Sequence, residues 1–169
     1  TVDINMFSWA TGEDITTSAN LKGSVTSDLT LDASTAYTLQ GTLSVESGAT
    51  LTIPAGTTIT ADVQAAGATS TYIVVQKGGM IDIQGTAANP VVMTSSGETP
   101  GDWGGLVIAG NATTTKGTDA VAEVGNIIYG GSNDTDDSGS IDYLIINYAG
   151  AQINSESQYN GLTLYAVGS

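Results

Sequence analysis

The chain has 169 residues, the size of one domain with a continuous core, and 40% of them are apolar, too many for a disordered chain. Three lysines (Lys22, Lys77, Lys116), no arginine, no histidine and seventeen acidic residues give a net charge of −14, so no basic patch can form and nucleic acid is excluded as a partner. With no cysteine there is no disulfide or thiolate metal site, and with no histidine a zinc or copper centre would need carboxylates alone.

Residues 1–35 are the least regular and read as an N-terminal arm or cap. Within it Val2, Ile4 and Met6 alternate as in an edge strand, ahead of Phe7 and Trp9. Residues 36–169 read as β coils. Tyr37-Thr38-Leu39 and Leu43-Ser44-Val45 are strand-like on either side of Gly41. Leu51-Thr52-Ile53 follows a turn at Gly48. Pro54-Ala55-Gly56 marks a corner, since proline cannot donate to a central ladder, and Thr58-Ile59-Thr60 resumes. After an Ala/Gly-rich connection come Ile73-Val74-Val75, Met80-Ile81-Asp82-Ile83, Val91-Val92-Met93 and Leu106-Val107-Ile108. Residues 111–124 interrupt the rhythm as a loop excursion. Asn126-Ile127-Ile128 and the long candidate Ile141 to Tyr148 precede a last strand, Leu162-Thr163-Leu164.

Markers at Ile73, Val91, Leu106, Ile127, Ile145 and Thr163 are separated by 18, 15, 21, 18 and 18 residues, which suits one circuit of a β-solenoid. No segment sustains a 3.6-residue apolar period over three turns, so almost no helix is expected. A left-handed β-helix also uses coils of this size. Its six-residue step, at Val45, Leu51 and Thr57, does not persist past residue 65. The expected fold is an all-β, right-handed parallel β-helix with an irregular N-terminal arm.

Several motifs appear in order: Gly48-Ala49-Thr50-Leu51-Thr52-Ile53-Pro54-Ala55-Gly56-Thr57, Gly85-Thr86 with Asn89-Pro90, Gly101-Asp102-Trp103-Gly104-Gly105-Leu106, Asp136-Asp137-Ser138-Gly139, and Asn160-Gly161-Leu162-Thr163-Leu164. Together they resemble secreted or surface-exposed bacterial right-handed parallel β-helix proteins, over about Leu43 to Ser169. The resemblance implies export to the cell surface or beyond and brings no settled activity. One segment departs from the family pattern. Where the family commonly reads Tyr-Val-Arg-Ile-Glu-Tyr, this chain has Tyr143-Leu144-Ile145-Ile146-Asn147-Tyr148, which replaces an ionic pair with Ile145 and Asn147.

The densest acidic cluster is a candidate calcium site. Asp134, Asp136, Ser138 and Gly139 fall at the first, third, fifth and sixth places of a calcium loop, with Asp137 beside them, though Ile145 stands where a distal glutamate is needed. The same residues suit a solvated turn whose carboxylates cap local amides. Trp103 could stack on a sugar ring or could cover a coil, its flanking glycines letting backbone approach. An enzyme is not expected. A polysaccharide lyase needs a base and cationic groups to neutralise uronates, on a body that here repels them. The carboxylates Asp102, Asp136 and Asp137 could serve a glycoside hydrolase only at a fixed separation.

Thr1 rather than methionine leads the chain, with no signal peptide, as in a processed product or a fragment. No apolar stretch approaches membrane-spanning length, so no membrane insertion is expected. Gly161 to Ser169 has the pattern of a coil and not of a polar cap. Leu162 and Leu164 at that end, with Val2, Ile4 and Met6 of the arm, are therefore candidate assembly residues, through head-to-tail or edge-strand contacts between copies. The expected role is a non-catalytic extracellular structural or adhesive module that polymerises end to end. The alternative is part of a longer surface protein that binds glycans.

Overall fold

The structure, a computed structural model, describes residues 20–63, 71–152 and 158–168. The alternating segment Val2, Ile4 and Met6 lies outside them. The chain folds as a right-handed parallel β-helix, and the described residues contain strands and turns with no helix. The first coil holds β1 (Asn20–Val25) and β2 (Leu29–Thr30), the second β3 (Tyr37–Val45) and β4 (Thr50–Pro54). The third holds β5 (Thr58–Ala61), β6 (Tyr72–Val75) and β7 (Met80–Gln84). The fourth runs through β8 (Val91–Ser95) and β9 (Leu106–Ala109), makes an excursion carrying β10 (Ala120–Val121) and β11 (Ile128–Tyr129), and closes with β12 (Gly139–Asp142). Then β13 (Leu144–Ile146) and β14 (Leu162–Tyr165) begin the last described coil.

Three columns of strands result. The first half of β3 pairs with β5, which pairs with β8 and then β13. The second half of β3 pairs with β6, β9 and β14 in turn. The third column is β2, β4, β7 and β12. β1 lies against both halves of β3. Alternate residues of each strand face inward and stack on their counterparts, as in Val25, Val45, Val75, Ile108 and Leu164, or Leu29, Leu51, Ile81 and Gly139. Until the last coil these inward apolar side chains are buried in one core. Corners are tied locally: the Pro54 carbonyl accepts the Thr57 amide at 3.2 Å and the Thr57 hydroxyl at 2.7 Å.

The eighteen-residue rhythm is not the coil repeat. Ile73 stacks on Leu106 and Leu106 on Leu162, whereas Val91 belongs to a different column. Real steps are 81 − 51 = 30 residues from Leu51 to Ile81, and 139 − 81 = 58 from Ile81 to Gly139. Three other expectations change. Coils begin at Asn20, within the segment read as arm, because Leu21, Val25 and Leu29 already stack on Leu39, Val45 and Leu51. The excursion extends past residue 124 to the start of β12 and includes Ile127, which therefore marks no coil. Finally, Ile141 to Tyr148 is not one strand: Tyr143, at φ 44°, turns a corner between β12 and β13, and its side chain is 60% exposed.

The excursion has a physical purpose. It folds back on the outer face of β6 and β9, where Val74, Val107 and Ala109 form a second core with Ala122, Val124, Ile127, Ala151 and Tyr159. These two strands are buried on both faces, which is why Tyr72–Val75 and Leu106–Ala109 are continuously apolar. Tyr72 packs on Tyr159 with ring centroids 4.9 Å apart, and Tyr129 stacks on Tyr165 at 4.7 Å. Lys77 fastens the excursion from outside, its Nζ bonding Asp119 at 2.5 Å and the Gly130 carbonyl at 3.0 Å.

Truncating the inner core should be costly: Ile81→Ala is expected to lose about 2–5 kcal/mol of unfolding free energy, measured by urea titration. The second core should fail in alkali. Burial, with Tyr159 adding to it, pushes the Tyr72 phenol from its ordinary 10.0 up to about 12. Folding thus favours the neutral phenol, whose contribution is complete below pH 10 and is lost as pH rises toward 12. Tyr72→Phe should flatten that alkaline loss, read as the melting temperature against pH.

Candidate functional site

The last described coil differs from every coil before it. Register makes Leu162 and Leu164 the inward successors of Leu106 and Ile108, and Leu144 and Ile146 those of Val91 and Met93. The predecessors are buried, but Leu162 is 42% exposed and Leu164 52%, with Leu144 and Ile146 half-buried. Ile141, stacked on the buried Ile83, is 36% exposed. At the opposite end Leu21, Val25, Leu29 and Leu31 are all buried. The structure therefore leaves one pole of its core open, and it places the assembly candidates Leu162 and Leu164 there.

A cavity of about 530 Å³ opens at this pole, lined by Ile81, Ile108, Ile141, Leu164 and Val167 and by the acidic turn from Thr135 to Gly139. Its origin lies in one residue. The column Leu29, Leu51, Ile81 ends in Gly139, so no side chain stands over Ile81. Glycine is required there: φ is +111°, and a Cβ would lie 1.8 Å from the Ile81 carbonyl oxygen.

The acidic turn makes one wall, and its carboxylates are committed to backbone. Asp134 Oδ1 accepts the Thr113 amide at 2.8 Å, Asp136 Oδ2 the Asn111 amide at 3.0 Å, and Asp137 Oδ1 the Gly139 amide at 2.9 Å. The Ser138 hydroxyl donates to Asp136 Oδ2 at 3.1 Å. These bonds tie the turn to the start of the excursion and set the height of the wall. The Thr113 amide, with its hydroxyl, holds the Asp134 carboxyl below the usual range. Among the described residues no three acidic side chains are grouped to hold a metal ion. Asp134, Asp136, Asp137 and Ser138 thus serve as struts of the turn, not as a converging calcium shell.

Trp103 is corrected from a sugar platform to a core residue. It is fully buried, and its indole Nε1 donates to the Asn147 carbonyl at 2.8 Å. Its flanking glycines admit neighbours: at Gly105 (φ +83°) a Cβ would lie 2.3 Å from the Gly161 carbonyl. Asp102 pins its own loop, accepting the Ser95 hydroxyl at 2.8 Å and the Thr99 amide at 2.9 Å. Gly139, Ile141 and Val167, which shape the cavity, were not singled out from sequence. Their column positions depend on a 58-residue step that no local pattern displays.

A protein-family model described as a pectate-lyase-like β-helix domain matches residues 23–169. No curated protein and no solved structure matches the chain.

Removing the buried indole, by Trp103→Ala, should cost about 3–5 kcal/mol in chemical denaturation. Acid should loosen the turn. The Asp134 carboxyl, lowered by folding, stabilises the native state above its ordinary value of 3.8, and that contribution is lost as pH falls through the lower folded value. Amide exchange at Thr113 should therefore accelerate below pH 4, and Asp134→Asn should show fast exchange already at neutral pH.

Proposed function

The chain belongs to the family of pectate-lyase-like β-helix domains, and from that membership we propose that it is a non-catalytic structural module of the cell exterior that stacks through its open coil. One observation supports this above the others: inward-facing Leu162, Leu164 and Ile141 are exposed at one pole, while the inward residues of the opposite pole are buried. Uncovered core together with unpaired strand edges on β12, β13 and β14 is a template for another chain. An apolar end that meets a different surface of the next copy gives open, head-to-tail growth and not a closed pair.

A scaffold also fits the side-chain chemistry better than a catalyst. The chain has no arginine or histidine, and Lys77 is spent on Asp119 and Gly130. Asp102, Asp134 and Asp136 accept backbone amides that fix their loops. A net charge of −14 keeps such modules apart until the apolar poles meet, and salt weakens that repulsion.

Light scattering and negative-stain imaging test the proposal. Concentrated protein should form elongated particles, promoted by salt. Leu164→Asp and Leu162→Asp should remain monomers of 17.0 kDa with unchanged melting temperatures, because both positions are already exposed. Wild-type protein that stays monomeric at all concentrations and salts would overturn the stacking. So would a native polypeptide heavier than 17.0 kDa whose additional residues cover this pole.

A further inference from the structure

We propose that the cavity beside Gly139 is a socket for the N-terminal arm of a neighbouring copy, which adds Val2 to Met6 as a strand along β12. The inference rests on the stacking reading above and names its occupant. β12 ends its column, pairing with β7 on one side. On its other side the next position of the ladder lies over Ile81, where Gly139 leaves space, and over Ile141. A strand laid there must present apolar side chains at every second residue to the cavity and polar ones to solvent. The nineteen residues ahead of β1 contain that pattern in Val2-Asp3-Ile4-Asn5-Met6. Five extended residues span roughly 17 Å, enough to run along the four residues of β12.

Direction and charge select the neighbour's arm over other occupants. The arm joins the solenoid at β1, at the pole opposite the cavity, so in a head-to-tail stack it starts beside the next copy's open coil. Insertion into its own cavity would require the arm to pass four strand spacings, about 19 Å, outside the ladder. Two open poles meeting face to face would set the Asp134 to Asp137 turns of both copies against each other. The arm strand brings one acidic residue, Asp3. Like charges facing each other disfavour the symmetric pair.

The chain has no cysteine, so introduced thiols report the contact directly. Full-length Ile4→Cys, labelled with nitrogen-15, is mixed with unlabelled Leu164→Cys under mild oxidation, and disulfide-linked species are weighed. Ile141→Cys serves as a second socket position, so that one poorly placed thiol does not decide the result. Mixed labelled–unlabelled dimers are expected as the main product. Ile4→Asp should raise the concentration needed for assembly at least tenfold. If wild-type protein assembles, no mixed disulfide forms at either position and Ile4→Asp assembles normally, the arm is not the occupant, though stacking stands. Predominant Leu164→Cys homodimers would show poles meeting face to face and overturn the proposal. A chain carrying both Ile4→Cys and Leu164→Cys that closes as a monomer would overturn it too, by placing the arm in its own socket. If wild-type protein never assembles, both this proposal and the stacking reading fail.

Discussion

Each inward side chain of this protein is covered only by the coil before it and the coil after it. A sandwich or barrel closes on itself; a solenoid passes its uncovered surface along until something stops it. The column Val25, Val45, Val75, Ile108 and Leu164 makes the dependence visible: the middle members are buried and the last is half open to solvent. The pole at Leu162 and Leu164 therefore follows from the same ladder that stabilises the centre. Its exposed leucines are core residues without their next layer.

The departures from a bare solenoid concentrate near that pole. The excursion between β9 and β12 covers the outer face of the second column with an apolar layer, and Lys77 and the Tyr129–Tyr165 stack hold it in place. Its far end becomes the acidic turn, whose carboxylates reach back to the amides of Asn111 and Thr113. One insertion thus thickens the solenoid on one side and raises a polar wall beside the apolar cavity. Elsewhere the outer surface is held by short polar contacts between coils, such as the Ser140 hydroxyl on Asp82 at 2.8 Å.

Strand identity was legible in the sequence. Leu51 to Ile53, Met80 to Ile83, Val91 to Met93, Leu106 to Ile108 and Leu162 to Leu164 all lie in strands, and Pro54 ends β4 at a corner. Stacking order was not legible. Runs from different columns share one composition, so equal spacing between Ile73, Val91 and Leu106 imitated a repeat. Trp103 shows the same limit at one side chain: glycines on both sides are compatible with an exposed ring or with backbone packed against a buried one. Burial and the Asn147 carbonyl settle it as core. Ile145, which departs from the family pattern, faces outward and is exposed, so the core tolerated that change.

By itself the sequence determined an all-β solenoid with short apolar strands, glycine and proline corners, a strongly acidic surface and no basic or thiol chemistry. Alternation and turn residues are local properties, and a few neighbouring positions suffice to specify them. Only the tertiary structure decided which strands stack, that Gly139 rather than a larger residue stands over Ile81, and that one pole is open while the other is buried. The reason is that parallel coils pair by register across connections of any length. Closing a longer loop costs little more than closing a short one, so an insertion can separate stacked partners by 22 or by 58 residues without leaving a mark in the strands themselves.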